Sequence, residues 1–209
     1  MAQGAAPLLS PAPASGQAVA DAARDGLVVR SRAMVASRPL LQATTASGQA
    51  GDRSTLFVLN LFDDVTLPAV FERFETGALS HQTWVGRVAG DANSTVTLTW
   101  KGEVLSGGVQ TGDQLYRLTT RQGLTIVDQL NADGFPVELP PLPSGEPAPL
   151  PVLDANGDER VADGEVVDIY VYYTAGARTG QGGQGPIETL IALGVADANT
   201  AVSSTRRWA

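Results

Sequence analysis

Apolar and polar residues alternate with a period of two through much of the chain. Successive side chains of a strand point to opposite faces, so this period marks strands with two unlike sides. The stretch "STVTLTWKG" is the clearest case: Val96, Leu98 and Trp100 share one face, and Thr95, Thr97 and Thr99 share the other. The segments "TWVGRVAG", "VLSGGVQTGD", "QLYRLTTRQG" and "LTIVDQLNADG" continue the pattern, with a turn signal roughly every ten residues. Gly102, Gly112, Gly123 and Gly134 supply those turns. The pattern predicts an antiparallel meander with one face in a core and one face wet. "GLVVRSRAMVA" (26–36) also alternates, with Val28 and Met34 on one phase and Val29 and Val35 on the other. "TLFVLNLF" (55–62) is almost wholly apolar, as a central strand is.

One segment changes period. In "TLPAVFERFE" (66–75), Leu67, Val70, Phe71 and Phe74 fall at i, i+3, i+4 and i+7, the spacing of one helical face. Pro68 suits the first turn of such a helix. The fold class expected from these patterns is α+β: an antiparallel β meander with one covering helix.

Further along, "PVELPPLPSGEPAPLPVL" (136–153) carries seven prolines. Proline lacks a backbone donor and fixes φ, so the stretch predicts an extended linker. "EVVDIYVYYTA" (165–175) predicts a strand, and "GARTGQGGQG" (176–185) a loop. Pro186 opens a predicted helix whose stripe is Ile187, Leu190, Ile191, Gly194, Ala198 and Val202. The expected organisation is a disordered segment (1–25), a β-rich domain (26–138), a Pro-rich and acidic linker (139–165) and an incomplete α/β strand–helix unit (166–209). One strand and one helix cannot bury both their faces alone, so that helix is expected to pack weakly.

The chain has 209 residues, 43% of them hydrophobic and 17% charged, enough to bury a core. Its formal charge is −8, with Lys and Arg scattered rather than striped. Phosphate backbones need a basic stripe, so nucleic acid is not an expected partner. No apolar run of about 18 residues exists, so no membrane partner is expected either. The absence of cysteine excludes disulfides, thiol nucleophiles and cysteine-ligated zinc. The opening "MAQGAAPLLSPAPASGQ" lacks the basic and apolar regions of a signal peptide.

Candidate chemistry is sparse. In "LDANGDERVADGE", Asp154, Asn156, Asp158 and Glu165 fall at positions 1, 3, 5 and 12 of a calcium loop. Glu159 stands where such loops use Gly, and prolines rather than a helix precede it. Both a calcium site and a solvated turn fit this loop. His81 is the sole histidine, whereas histidine-based zinc sites need two or three. "GQGGQG" (180–185) lacks the Lys-Ser/Thr pair and the spacing of phosphate loops. "NST" (93–95) fits both a glycosylation sequon and a turn entering a strand. Trp84 and Trp100 fit a sheet core better than a ligand platform. No catalytic or cofactor-binding residue is assigned.

The order of segments resembles the bacterial peptidyl-Asp metallopeptidases, a reprolysin-like branch of the metzincin zinc proteases. Val167, Asp168, Tyr173, Thr174, Ala177 and Arg178 match the strand that opens their catalytic domain. Ile187, Leu190, Ile191, Val195, Asn199 and Ala201 match the helix after it. "FVLNLFDDV", "WVGRVAGDANSTVTLTW" and "YRLTTRQGLTIVDQLN" resemble the pro region. The resemblance implies the N-terminal part of a secreted or periplasmic zinc metalloendopeptidase precursor. Its partner would be its own or a cognate catalytic domain, and the full-length enzyme would act on protein substrates. It implies zinc for the full-length family, but the HExxHxxGxxH site has no counterpart in this chain. Neither zinc binding nor proteolysis is therefore expected of it. The alternative is a stand-alone β-rich binding or inhibitor module with a calcium-stabilised acidic loop.

Overall fold

The structure is a computed structural model, and it describes residues 6–12, 26–46, 56–77, 80–135 and 170–205. The chain divides into two units: Pro136–Tyr172, and the rest. Within the larger unit, nine strands form one sheet: β1 (Leu9–Pro11), β2 (Val28–Ala36), β3 (Leu56–Phe62), β4 (Val65–Thr76), β5 (Gln82–Val88), β6 (Thr95–Lys101), β7 (Val104–Thr111), β8 (Gln114–Arg121) and β9 (Leu124–Leu130). Their order is β1-β2-β9-β8-β7-β6-β5-β4-β3, and every pair is antiparallel. From β3 to β9 each strand pairs with its successor, as short hairpin turns dictate. Gly102 and Gly112 take positive φ at the first position of two-residue turns (φ 55° and 54°), which suits the twist of the flanking strands.

The two ends of this sheet meet. Pro7 forms a parallel bridge to Val58 on β3. Leu8 N–H donates to the Val58 carbonyl at 2.9 Å, and Val58 N–H donates to the Ala6 carbonyl at 3.1 Å. The Asn60 side chain extends this seam: its amide donates to the Leu9 carbonyl at 2.6 Å and accepts from Leu9 N–H at 3.2 Å. The sheet is thus a nearly closed barrel, which removes most of the exposed edge that an open sheet presents. An α+β fold, an antiparallel meander with one covering helix, was the expectation, and the mostly β, nearly closed barrel overturns it.

The expected helix at 66–75 is the strand β4. Its pairing shows why the spacing misleads. Phe71 lies opposite Gly86 and Phe74 opposite Trp84, with a register shift between Phe71 and Arg73. A β-bulge inserts one residue and turns the following side chains to the other face. Leu67, Ala69 and Phe71 point inward at even spacing, and the bulge brings Phe74 inward three residues later. A bulged strand has here imitated helical period.

The barrel interior is the core. It holds Phe57, Leu59, Leu61, Trp84, Val96, Leu98, Trp100, Leu105, Leu118 and Val127, all buried. Trp84 is central: its ring lies 4.6 Å from that of Phe57 and 6.0 Å from that of Phe71. Gly86, two residues on, leaves room for it, since a Cβ there would stand 2.4 Å from the Trp84 ring and 2.1 Å from the Val70 carbonyl oxygen. At one end of the barrel, helix α1 (Arg38–Ala46) places Leu41 in this core. Arg38, whose pKa burial lowers, pairs there with Glu103 at the tip of the β6–β7 hairpin. At the other end Arg30 holds Asp64 at 2.8 Å and Arg32 holds Asp63 at 2.8 Å. The guanidinium of Arg30 also lies 4.1 Å from the centre of the Phe62 ring.

Two helices follow in the same unit: α2 (Ala175–Gly180) and α3 (Gln184–Thr205). Thr174 caps α2 by accepting from Ala177 N–H at 3.1 Å. Gly182 and Gly183, at φ 90° and 125°, turn the chain between the two helices. Over its described part, the strand expected at 165–175 is irregular: Tyr170–Thr174 pairs with no strand among the described residues, and Tyr170 and Tyr172 are exposed. Its apolar character alone cannot make a strand without a partner edge.

Candidate functional site

Helix α3 lies on the outer face of β6, β7 and β8. Its N-terminal end sits beside Val104, which a Cβ on Gly185 would approach to 3.5 Å. Thr189, Leu193 and Ala196 are buried at i, i+4 and i+7, the spacing of one helical face, and Ile187 is buried on another. The expected stripe included Gly194 and Ala198, which are exposed, so the buried face is rotated from the sequence reading. Toward the C-terminal end, Arg73 on β4 donates to the Thr200 hydroxyl at 2.6 Å while its Nε pairs with Glu75 at 2.6 Å. The Thr200 hydroxyl itself donates to the Ala196 carbonyl at 2.8 Å.

This helix changes the status of the threonine face. Thr97 and Thr99 were expected on a wet surface, and they are 1% and 0% exposed. The Thr99 hydroxyl shares a hydrogen bond with that of Thr83 at 2.9 Å, across the β5–β6 pair. The Thr97 hydroxyl has no hydrogen-bond partner of normal geometry among the described residues, although it lies near enough to Asp197 to favour that carboxylate's charged form.

Between the second half of α3 and the sheet lies a hollow of about 550 Å³. Thr97, Gly108 and Arg117, side by side in the register of β6, β7 and β8, form its floor. Gly108 opens it: a Cβ at that position would meet no atom within 4 Å. Leu190, Leu193 and Asp197 come from the helix, and Leu115 and Leu130 from the sheet. Desolvation raises the pKa of Asp197 above its ordinary value, and the Thr97 hydroxyl offsets this in part. Arg117 is committed elsewhere: its Nη2 holds the fully buried Asp128 at 3.0 Å, and Ser31 donates to the same carboxylate at 2.6 Å.

The sequence-derived candidates fall elsewhere. Asp154, Asn156, Asp158 and Glu165 lie outside the described residues. Among the described residues, no cluster of three or more His, Asp or Glu side chains could hold a metal. His81 is buried at the entry to β5, where its carbonyl accepts from Gly77 N–H at 2.8 Å. Asn93 is exposed in the turn before β6, and its N–H donates to Asp91. No helix among the described residues is long and apolar enough to cross a membrane. Sequence reasoning missed Thr97, Gly108, Arg117 and Asp197 as a group, because their meeting depends on barrel register and on where α3 lands. No protein-family model, curated protein or solved structure matches the chain.

Proposed function

We propose that the chain carries the pro region of a secreted zinc metalloendopeptidase, together with the opening segment of the catalytic domain. The observation that carries this reading is the seating of α3. Ile187, Leu190 and Ile191 belong to the helix whose sequence resembles the first catalytic helix, and that helix lies on β6–β8 with Leu193 buried there. A pro region that assists folding or blocks a cleft must grip its catalytic domain, and a barrel holding that domain's first helix is one way to do so. The residues present do not fit a zinc centre, since the chain has one histidine. Any effect on proteolysis would therefore be exerted on a catalytic domain that supplies the metal site. The test is to titrate the purified chain into a reprolysin-like zinc endopeptidase catalytic domain freed of its own pro region. Stoichiometric inhibition, or a higher refolding yield, is expected. Neither effect at equimolar, micromolar concentration would refute the reading.

The hollow beside Asp197 favours a second reading, a stand-alone β-rich binding or inhibitor module with a calcium-stabilised acidic loop. Calcium would then raise the melting temperature, because a ligand that binds only the folded state stabilises it by mass action.

A further inference from the structure

We propose that the hollow between α3 and the outer face of β6–β8 binds a small amphiphilic cation, with an apolar body and one primary ammonium group. The inference stands independently of the precursor reading. Its volume of about 550 Å³ falls within the usual range for small-molecule sites. Most of the wall is apolar, from Leu115, Leu130, Leu190 and Leu193.

The polar groups set the ligand's charge. The Thr97 hydroxyl is buried without a partner of normal geometry, a cost that a donor from a ligand would relieve. Asp197 offers a carboxylate beside it, with no cation at ion-pair distance among the described residues. The guanidinium of Arg117 also lines the hollow, but the carboxylate of Asp128 balances its charge. The site therefore presents acceptors and a net negative charge to an occupant. An ammonium donates to both acceptors, and a charge-assisted bond is roughly twice as strong as a neutral one. A carboxylate or phosphate would meet Asp197 as a like charge. A purely apolar ligand would leave the Thr97 hydroxyl unpaired.

Three naphthyl probes test this on the full chain by isothermal titration calorimetry: naphthylethylamine, naphthylethanol and naphthylacetate. The amine is expected to bind about tenfold or more tighter than the alcohol, the scale of one charge-assisted contact, and the acetate not at all. Asp197→Asn should bring the amine down to the affinity of the alcohol. Gly108→Val should abolish binding of all three by filling the floor; its Cβ meets no atom within 4 Å, and the melting temperature checks that the added methyl groups leave the fold intact. If Gly108→Val lowers that temperature, Asp197→Asn alone decides the matter. Acetate binding as tight as that of the amine would overturn the proposal. So would an amine affinity unmoved by Asp197→Asn, or no binding of any probe at millimolar concentration.

Discussion

Strand β6 has two faces, and they are buried by different means. Inward, Val96, Leu98 and Trp100 join a continuous core with Trp84, Leu105 and Leu118. Outward, Thr97 and Thr99 are just as inaccessible, but they lie on the face that α3 covers, beside a hollow and an unpartnered hydroxyl. Burial alone does not distinguish the two environments. Packing does: the inner face leaves no room for one extra carbon at Gly86, and the outer face accepts one freely at Gly108.

The largest effect should come from the inner face. Trp84→Ala removes a fully buried ring that touches Phe57 and Phe71, at an expected cost of about 3–5 kcal/mol, read from urea unfolding. A cost below about 1 kcal/mol would mean that the interior is loosely packed, and would erase the contrast between the faces.

Next comes the pair of glycine substitutions. Gly86→Ala sets a methyl group against the Val70 carbonyl oxygen and the Trp84 ring. Overpacking of this kind costs about 1–3 kcal/mol. Gly108→Ala meets nothing, and should lie within about 0.5 kcal/mol of wild type. The difference in urea midpoint between the two variants measures the contrast directly. Equal midpoints would break it.

These contrasts separate what the sequence reveals from what it conceals. The alternation of β6 is local, so Val96, Leu98 and Trp100 could be placed on one side of a strand from their spacing alone. The two-residue turns at Gly102 and Gly112 were legible for the same reason. The cover over Thr97 was not legible, because it comes from a helix far along the chain. The barrel seam was hidden too: Pro7 pairs with Val58 inside an Ala- and Pro-rich start that carries no strand signal. In β4 the signal was present but misleading, since the bulge after Phe71 turned an inward strand face into helix-like spacing. Of the candidate site, the apolar character of α3 could be read, but the rotation of its buried stripe depended on the partner surface.

The outer face yields a smaller effect, of opposite sign. A buried hydroxyl without a partner costs about 1 kcal/mol or more, while an apolar isostere has no such cost. Thr97→Val should therefore stabilise the chain by about 1 kcal/mol, helped by the strand preference of valine. A loss of stability would show that the hydroxyl is bonded, with the Asp197 carboxylate as its partner, and that this part of the outer face is more tightly organised than the hollow suggests.

The smallest effect concerns pH. Asp197 has a folded-state pKa above its ordinary 3.8, chiefly through desolvation. Between the two values the folded chain binds more protons than the unfolded chain, so stability falls as pH rises through that window and stays lower above it. Asp197→Asn cannot ionise and avoids this loss. Below pH 3.8 the variant should melt with wild type; near pH 7 it should melt slightly higher, the effect kept small because the residue is exposed and solvent screens its charge. Among the described residues, the guanidinium groups at the hollow or its lining are Arg73, bound to Glu75 and Thr200, and Arg117, bound to Asp128; both carboxylates are retained in the variant. A variant that melts lower at pH 7 would mean that one of these guanidinium groups stabilises the Asp197 carboxylate more than burial penalises it. The outer face would then be held by charge, as the inner face is held by packing, and the hollow would offer an ammonium ligand far less.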